Sequence, residues 1–286
     1  MGRCLAMDPG KLKAILSLLA DTDEDIVSKV RAKLFEMGEL KVREVLAASD
    51  PESVAQREAG RVLHLFREPD LEVQFSQLST DHTGDIDLEE GAFTLAKLGY
   101  PDVEIPRYKA RLDQMATDLA PQIAPDDHPI RVIRTLNHYL FEEQGFRGRN
   151  HGVDPDISYI NRVLDSRRGL PIAISAIYIL LARRLELPIV GIGMPLQFIV
   201  KYKATDGPEI LIDPFNRGQI LTRNECSEIL ADLEAEFDEG MLPELPDRQI
   251  LVRMMVNLVG PYEYLGKIKK SQALKRFIRA LKPGIV

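Results

Sequence analysis

Three groupings in the chain contain residue types that could do chemistry. The first is STDHTGDIDLEE (79–90), where Ser79, Asp81, Thr83, Asp85, Asp87 and Glu90 fall at the ligand positions of a helix–loop–helix calcium site and Gly84 at its turn. Ser79 stands where a leading Asp would supply charge, and no second loop of this kind occurs in the chain. The competing expectation is that Asp87 caps a helix through Phe93, Leu95 and Leu98, with Glu90 as its capping-box partner. We favour the cap and expect no calcium. The second grouping, His151, Asp154 and Asp156, offers one imidazole and two carboxylates, so a solvated loop is expected rather than a metal. The third is the cysteine pair, Cys4 and Cys226. In TRNECSEIL, Thr222 and Glu225 read as a capping box, and Cys226 shares a helical face with Ile229, Leu230 and Leu233. That pattern predicts a packed thiol, not a nucleophile. His64, His82, His128 and His138 read as core-edge or surface residues, and no cofactor is expected.

The elements that would position a site lie between residues 154 and 216. Ser158 is expected to cap a helix burying Tyr159, Ile160, Val163 and Leu164, which ends at Arg167-Arg168 before Gly169. A second helix starts at Leu170-Pro171 and runs to Glu186, apolar on almost every face. Proline suits a first turn, where no backbone donor is lost, and a helix apolar all round belongs inside a domain. After Pro188 the texture changes to IVGIGM, FIVKY and EILIDPF, short β-branched runs joined across KATDGPE by a hairpin. NRGQI then turns the chain away. A central helix on a small antiparallel sheet, with helices on either side, is predicted.

Upstream, DTDEDIVSKVRAKLF (21–35) and SDPESVAQREAGRVL (49–63) superpose with an offset of 28 residues, placing Ile26, Val30 and Leu34 against Val54 and Val62. This reads as a loosely HEAT-like repeat or as two unrelated amphipathic helices. Tyr108, Leu112, Met115 and Leu119 form one helical stripe; Ile130, Ile133, Leu136 and Leu140 form another, stopped at Gly145. In the tail, Ile250, Leu251, Met254, Met255, Leu258 and Val259 make a stripe, followed by Ala273, Leu274, Phe277, Ile278 and Leu281 behind an expected cap at Ser271. Lys267-Ile268-Lys269-Lys270 reads as a solvated turn rather than an anionic-partner site.

A formal charge of −7 argues against a dedicated nucleic-acid binder, and two cysteines suit a reducing compartment. The N-terminus has no signal-peptide hydrophobic region, Ala6 spoils a myristoylation signal, and the most apolar run, Leu170 to Leu181, is too short to span a bilayer. The expectation is a cytoplasmic protein with no nucleic-acid or membrane partner.

The strings NRVLDSRRGLPIAIS, YILLARRLELPIVGI, PLQFIVKY and LIDPFN resemble the bacterial SirB-type, transglutaminase-like family. DLEEGAFTLAKLGYPDVEIPRYKARLDQMA and HYLFEEQGFRG resemble that family's preceding helices, so the likeness runs from about residue 70 to 280. It implies a predominantly helical α+β fold: a transglutaminase/papain-like core helix on a small antiparallel sheet. The expected division is a helical segment over 1–70, HEAT-like by its 28-residue repeat, with the resemblance implying the transglutaminase-like domain over 71–236 and a tetratricopeptide-like (TPR-like) tail over 242–286. A related domain occurs in an F-box protein.

In active relatives a Cys stands at the start of the core helix, a His on the next strand and an Asp on the one after. The helix N-terminus stabilises the thiolate, the His exchanges its proton and the Asp orients the ring. The resemblance puts Pro171, Gln197 and Asp213 at those positions, so only the third member remains. Proline has no nucleophile, and an amide has no useful pKa for proton transfer. Asn161, Arg167, Arg168 and Asn216 are the neighbours expected to complete a ligand-binding spot with Gln197 and Asp213. The bland alternative is that Asp213 accepts bonds from Gln197, Arg168 or backbone and merely holds the sheet. The leading expectation is a non-catalytic module that binds a protein or peptide. A thiol-independent hydrolase or acyl transferase acting around Asp213, or a helical-repeat scaffold, are the alternatives.

Overall fold

The computed structural model describes residues 7–78, 85–149, 153–194, 197–203, 209–231 and 242–281, without the side chains of 67–70 and 229–231. Cys4, His82 and His151, the hairpin tip and most of the calcium-like loop lie outside the described residues. The chain divides into two compact units, Met1–Val73 and Gln74–Val286.

The first unit is built from α1 (Pro9–Leu19), α2 (Glu24–Glu36), α3 (Glu39–Ala48) and the start of α4 (Val54–Leu78). Its core joins Leu19, Leu34, Val42, Val45, Ala59 and Val62. Val54, expected in the apolar stripe, is 42% exposed. The buried row of α4 runs instead through Ala55, Ala59 and Val62, the i, i+4, i+7 spacing of one helical face.

In the second unit, α5 (Leu88–Gly99) starts where expected: the Asp87 carboxylate accepts from the Glu89 and Glu90 backbone N–H groups at 2.8 and 3.0 Å. Glu90, expected to reach back as the reciprocal partner, is turned outward by its ion pair with Lys109. α6 (Ile105–Leu119) buries Tyr108, Leu112, Met115 and Leu119, as its spacing predicts. α7 (Pro129–Asn137) passes into a π-helical turn over His138–Glu143 and stops at Gly145, whose φ of +74° glycine tolerates.

Two short strands follow, β1 (Arg147–Gly148) and β2 (Arg168–Gly169), paired in parallel around α8 (Ile160–Ser166); Arg168, expected at the end of that helix, lies in β2 instead. The expected Ser158 cap is absent. Tyr159 occupies the cap position without a side-chain bond, and the Ser158 hydroxyl is buried with no hydrogen-bond partner. α9 (Pro171–Arg184) is the predicted central helix: every residue from Ile172 to Ala182 is buried.

The sheet runs β3 (Ile189–Met194), β4 (Gln197–Tyr202), β5 (Ile210–Asp213) and β6 (Gln219–Leu221), each antiparallel to its neighbour. β6 was not foreseen, because three residues carry too little alternation to read. α9 packs on β3 and β4. The pleat places Ile192, Met194, Ile199, Leu211 and Leu221 on one face, with Cys226 of α10 (Arg223–Ala231) packed among them. The Thr222–Glu225 capping box of α10 is present in both directions, at 2.7 and 3.2 Å.

The tail comprises α11 (Asp247–Tyr264) and α12 (Ile268–Leu281). Ser271 does not cap α12; it lies inside the helix, and its hydroxyl donates to Glu263 at 2.8 Å. α11 packs on α5 and α9, and the two helices exchange caps. Asp85 accepts from the Asp247 and Arg248 backbone N–H groups at 2.8 and 3.0 Å. Asp247 accepts from the Leu88 N–H at 3.3 Å and from the two terminal Arg183 guanidinium nitrogens at 2.6 Å. The fold is thus predominantly helical α+β around one small antiparallel sheet. No helix among the described residues is long and apolar enough to cross a membrane.

Candidate functional site

Asp213 ends β5 with no exposed surface, so its carboxylate must find its partners within the protein. It accepts four hydrogen bonds: from Gln197 Nε2 at 2.6 Å, Asn216 Nδ2 at 2.7 Å, and the Phe215 and Asn216 backbone N–H groups at 3.0 and 3.3 Å. Burial lifts the carboxyl above its ordinary range, and the bonds from Asn216, Phe215 and Gln197 oppose that lift without cancelling it. Gln197, the first residue of β4, is half-buried and Asn216 is exposed, so both lie on the outer side of the buried carboxylate.

The turn that carries Asn216 is held from three sides. Arg217 and Gly218 take φ values of +56° and +74°, folding the chain back into β6. Asn137 of α7 donates to the Gly218 carbonyl at 2.7 Å and accepts from Tyr178 of α9 at 3.0 Å, which ties the turn to the central helix. A Cβ at Gly218 would overlap the Asn137 amide, and one at Gly148 would overlap Phe215. Glycine is therefore required at both positions for this close approach. Asn137, Tyr178, Gly148 and Gly218 were not anticipated. Only the positive-φ signature of NRG hinted at any of them.

Pro171 is the first residue of α9, and one turn on, the Ser175 hydroxyl donates to the carbonyl of Phe198 at 3.3 Å, the residue after Gln197. The start of the helix and the start of β4 therefore lie side by side. Arg168 does not bond Asp213, contrary to one expectation; it is exposed at the end of β2. Arg167, expected beside it in the spot, turns away through a left-handed φ of +60°. It donates to Gln144 at 2.9 Å and lies 4.7 Å over the Phe146 ring, and burial pushes its pKa down. Asn161 is 2% exposed on α8, with its carbonyl oxygen unpartnered. The expected six-residue spot thus resolves into one bonded group, Gln197, Asp213 and Asn216, and three residues that do not bond to it.

Residues 106–256 match the sequence profile described as Transglutaminase-like superfamily. The chain belongs to the SirB-type, transglutaminase-like family. The UPF0162 protein of Xylella fastidiosa (strain 9a5c) is 32% identical over 196 residues, 66% of this chain and 69% of that protein. Protein SirB1 of Salmonella typhimurium is 28% identical over 195 residues, 65% and 71% of the two chains. F-box only protein 21 of Mus musculus is 27% identical over 145 residues, covering 48% of this chain but 22% of that one. No solved structure matches.

Pro171, at the first turn of α9, carries no nucleophilic atom, and the Gln197 side chain is a non-titrating amide. Cys226 is the nearby thiol, fully buried in the apolar face of the sheet. Burial pushes its pKa up, with Glu225 and Asp213 adding to the effect, which disfavours the thiolate. His128 accepts from the Ile130 N–H at 3.3 Å, and His138 lies exposed beside Glu143, so each described histidine of α7 and its extension is otherwise placed. Among the described residues no group of three His, Cys, Asp or Glu side chains could hold a metal ion.

Proposed function

We propose that this chain is a non-catalytic, transglutaminase-like protein that acts by binding a protein or peptide. The observation that carries the reading is the state of Asp213. Its carboxylate is taken up by four N–H donors, two from side-chain amides, and among the described residues it bonds to no imidazole and no thiol. Such a group organises structure: it fixes the 213–218 turn against β4 and leaves the half-buried Gln197 amide as a donor–acceptor edge that a peptide backbone can meet. On this reading the HEAT-like stretch 1–70 and the TPR-like tail 242–286 flank the transglutaminase-like domain 71–236 as further contact surfaces. The protein works in the cytoplasm.

A screen of amine transfer and peptide hydrolysis with the full chain tests the proposal. No turnover above the buffer rate is expected. Turnover that disappears in Asp213→Ala while the variant stays folded would replace this reading with that of a thiol-independent hydrolase or acyl transferase.

A further inference from the structure

The sequence from Tyr264 to Val286 holds seven Lys and Arg residues and no Asp or Glu, which leaves the rest of the chain at a formal charge of −14 (30 basic, 44 acidic). Where this segment begins, the turn between α11 and α12 reverses at Gly266, whose φ is +67°. Every residue from Glu263 to Lys269 is exposed. Among them are three apolar side chains, Tyr264 at 76%, Leu265 at 43% and Ile268 at 48% exposure, with Lys267 and Lys269 between and beside them. Along α12 the outward residues Lys269, Gln272, Lys275 and Arg279 continue this face for about 15 Å, with Lys275 paired to Glu263 at 2.6 Å. The helix's own apolar face, Leu274, Phe277 and Leu281, is buried.

Reading Lys267–Lys270 as a solvated turn accounts for the lysines alone. Three exposed apolar side chains gathered on one turn are more than the scattered single residues of an ordinary surface. A nucleic acid would engage the cations and could stack on Tyr264, but it would leave Leu265 and Ile268 in water. An anionic bilayer satisfies both: apolar side chains enter the acyl boundary, a tyrosine ring suits the headgroup level, and lysine stems reach up to the phosphates. The acidic remainder of the chain orients the basic end toward such a surface and holds the rest away.

We propose that the α11–α12 turn docks the protein peripherally on anionic lipid surfaces, inserting Tyr264, Leu265 and Ile268 while Lys267, Lys269 and the outer face of α12 rest on the headgroups. The inference is independent of the Asp213 site.

Cosedimentation of the full chain with vesicles of phosphatidylcholine alone, and of phosphatidylcholine mixed three to one with phosphatidylglycerol, tests it. Binding to the mixed vesicles only, falling with added salt, is expected. Lys267→Ala/Lys269→Ala should weaken it by about 30-fold. Tyr264→Ser/Leu265→Ser/Ile268→Ser should weaken it roughly tenfold or more. All five positions are exposed, so the fold survives both variants. No binding to either vesicle, equal binding to both, or binding indifferent to the apolar triple variant overturns the proposal. Retention on polyuridylate that depends on the two lysines, without vesicle binding, would reassign this face to nucleic acid.

Discussion

Replacing Asp213 isolates the contribution of the buried cluster. Asp213→Ala removes one acceptor group and leaves four donors, Gln197 Nε2, Asn216 Nδ2 and two backbone N–H groups, without their partner. A buried group left unpaired costs about 1–3 kcal/mol. Gln197 is half-buried and Asn216 exposed, so both amides can turn to water, the full sum is not reached, and a loss of about 2–4 kcal/mol is expected. Asp213→Asn keeps one oxygen for the backbone donors, and the neighbouring amides can turn over to meet its NH2; its cost is about 1–2 kcal/mol.

The pH dependence has a definite sign. Burial raises the native pKa of Asp213 above the ordinary value of 3.8, so between those values the native state holds more protons than the unfolded one. The contribution of this residue is then greatest at low pH and declines as pH rises through the native pKa. The stability of the parent minus that of the Asn variant should therefore grow as pH falls from about 7 toward 4. Urea denaturation at several pH values reads both effects. An Ala variant within about 0.5 kcal/mol of the parent, or a gap that shrinks on acidification, would refute the reasoning.

Other consequences are as direct. Asp247→Ala removes the acceptor of the Leu88 N–H and the partner of Arg183, which water can still reach, and urea midpoints should report a loss of about 1–2 kcal/mol. Gly218→Ala sets a left-handed residue against the Asn137 amide, whereas Gly266→Ala meets open space. The second should cost about 1–2 kcal/mol and the first clearly more in the same assay. Isothermal calorimetry with calcium should give no saturable heat, since Asp85 and Asp87 cap helices and Glu90 pairs with Lys109.

The central helix was legible because a run apolar on every face has one place to go, and the strands after Pro188 because β-branched residues broken by Gly and Pro have few alternatives. What escaped was set by tertiary contact. Two-residue β1 and β2 and three-residue β6 are too short for periodicity, and they form because neighbours lie beside them. Ser158 and Ser271 are good caps by type, but Ser158 falls one residue ahead of the cap position of α8 and Ser271 falls inside α12, because packing fixes the boundary. The site was half readable. Gln197, Asp213 and Asn216 lie on adjoining strands and one turn, so a family pattern could place them. Arg167 follows its helix into a left-handed residue and turns away, and Asn137 and Tyr178 reach the turn only through the folded chain.

The central claim is that the frame of a thiol acyl-transfer site persists here without its sulfur and its proton carrier. Pro171→Cys/Gln197→His in a Cys4→Ser background restores both, with Asp213 already positioned to accept from the new imidazole. The rate of iodoacetamide alkylation against pH should give a thiol pKa clearly below the free-cysteine value of about 8.5. A thiol that titrates like free cysteine, or above it, would contradict the claim.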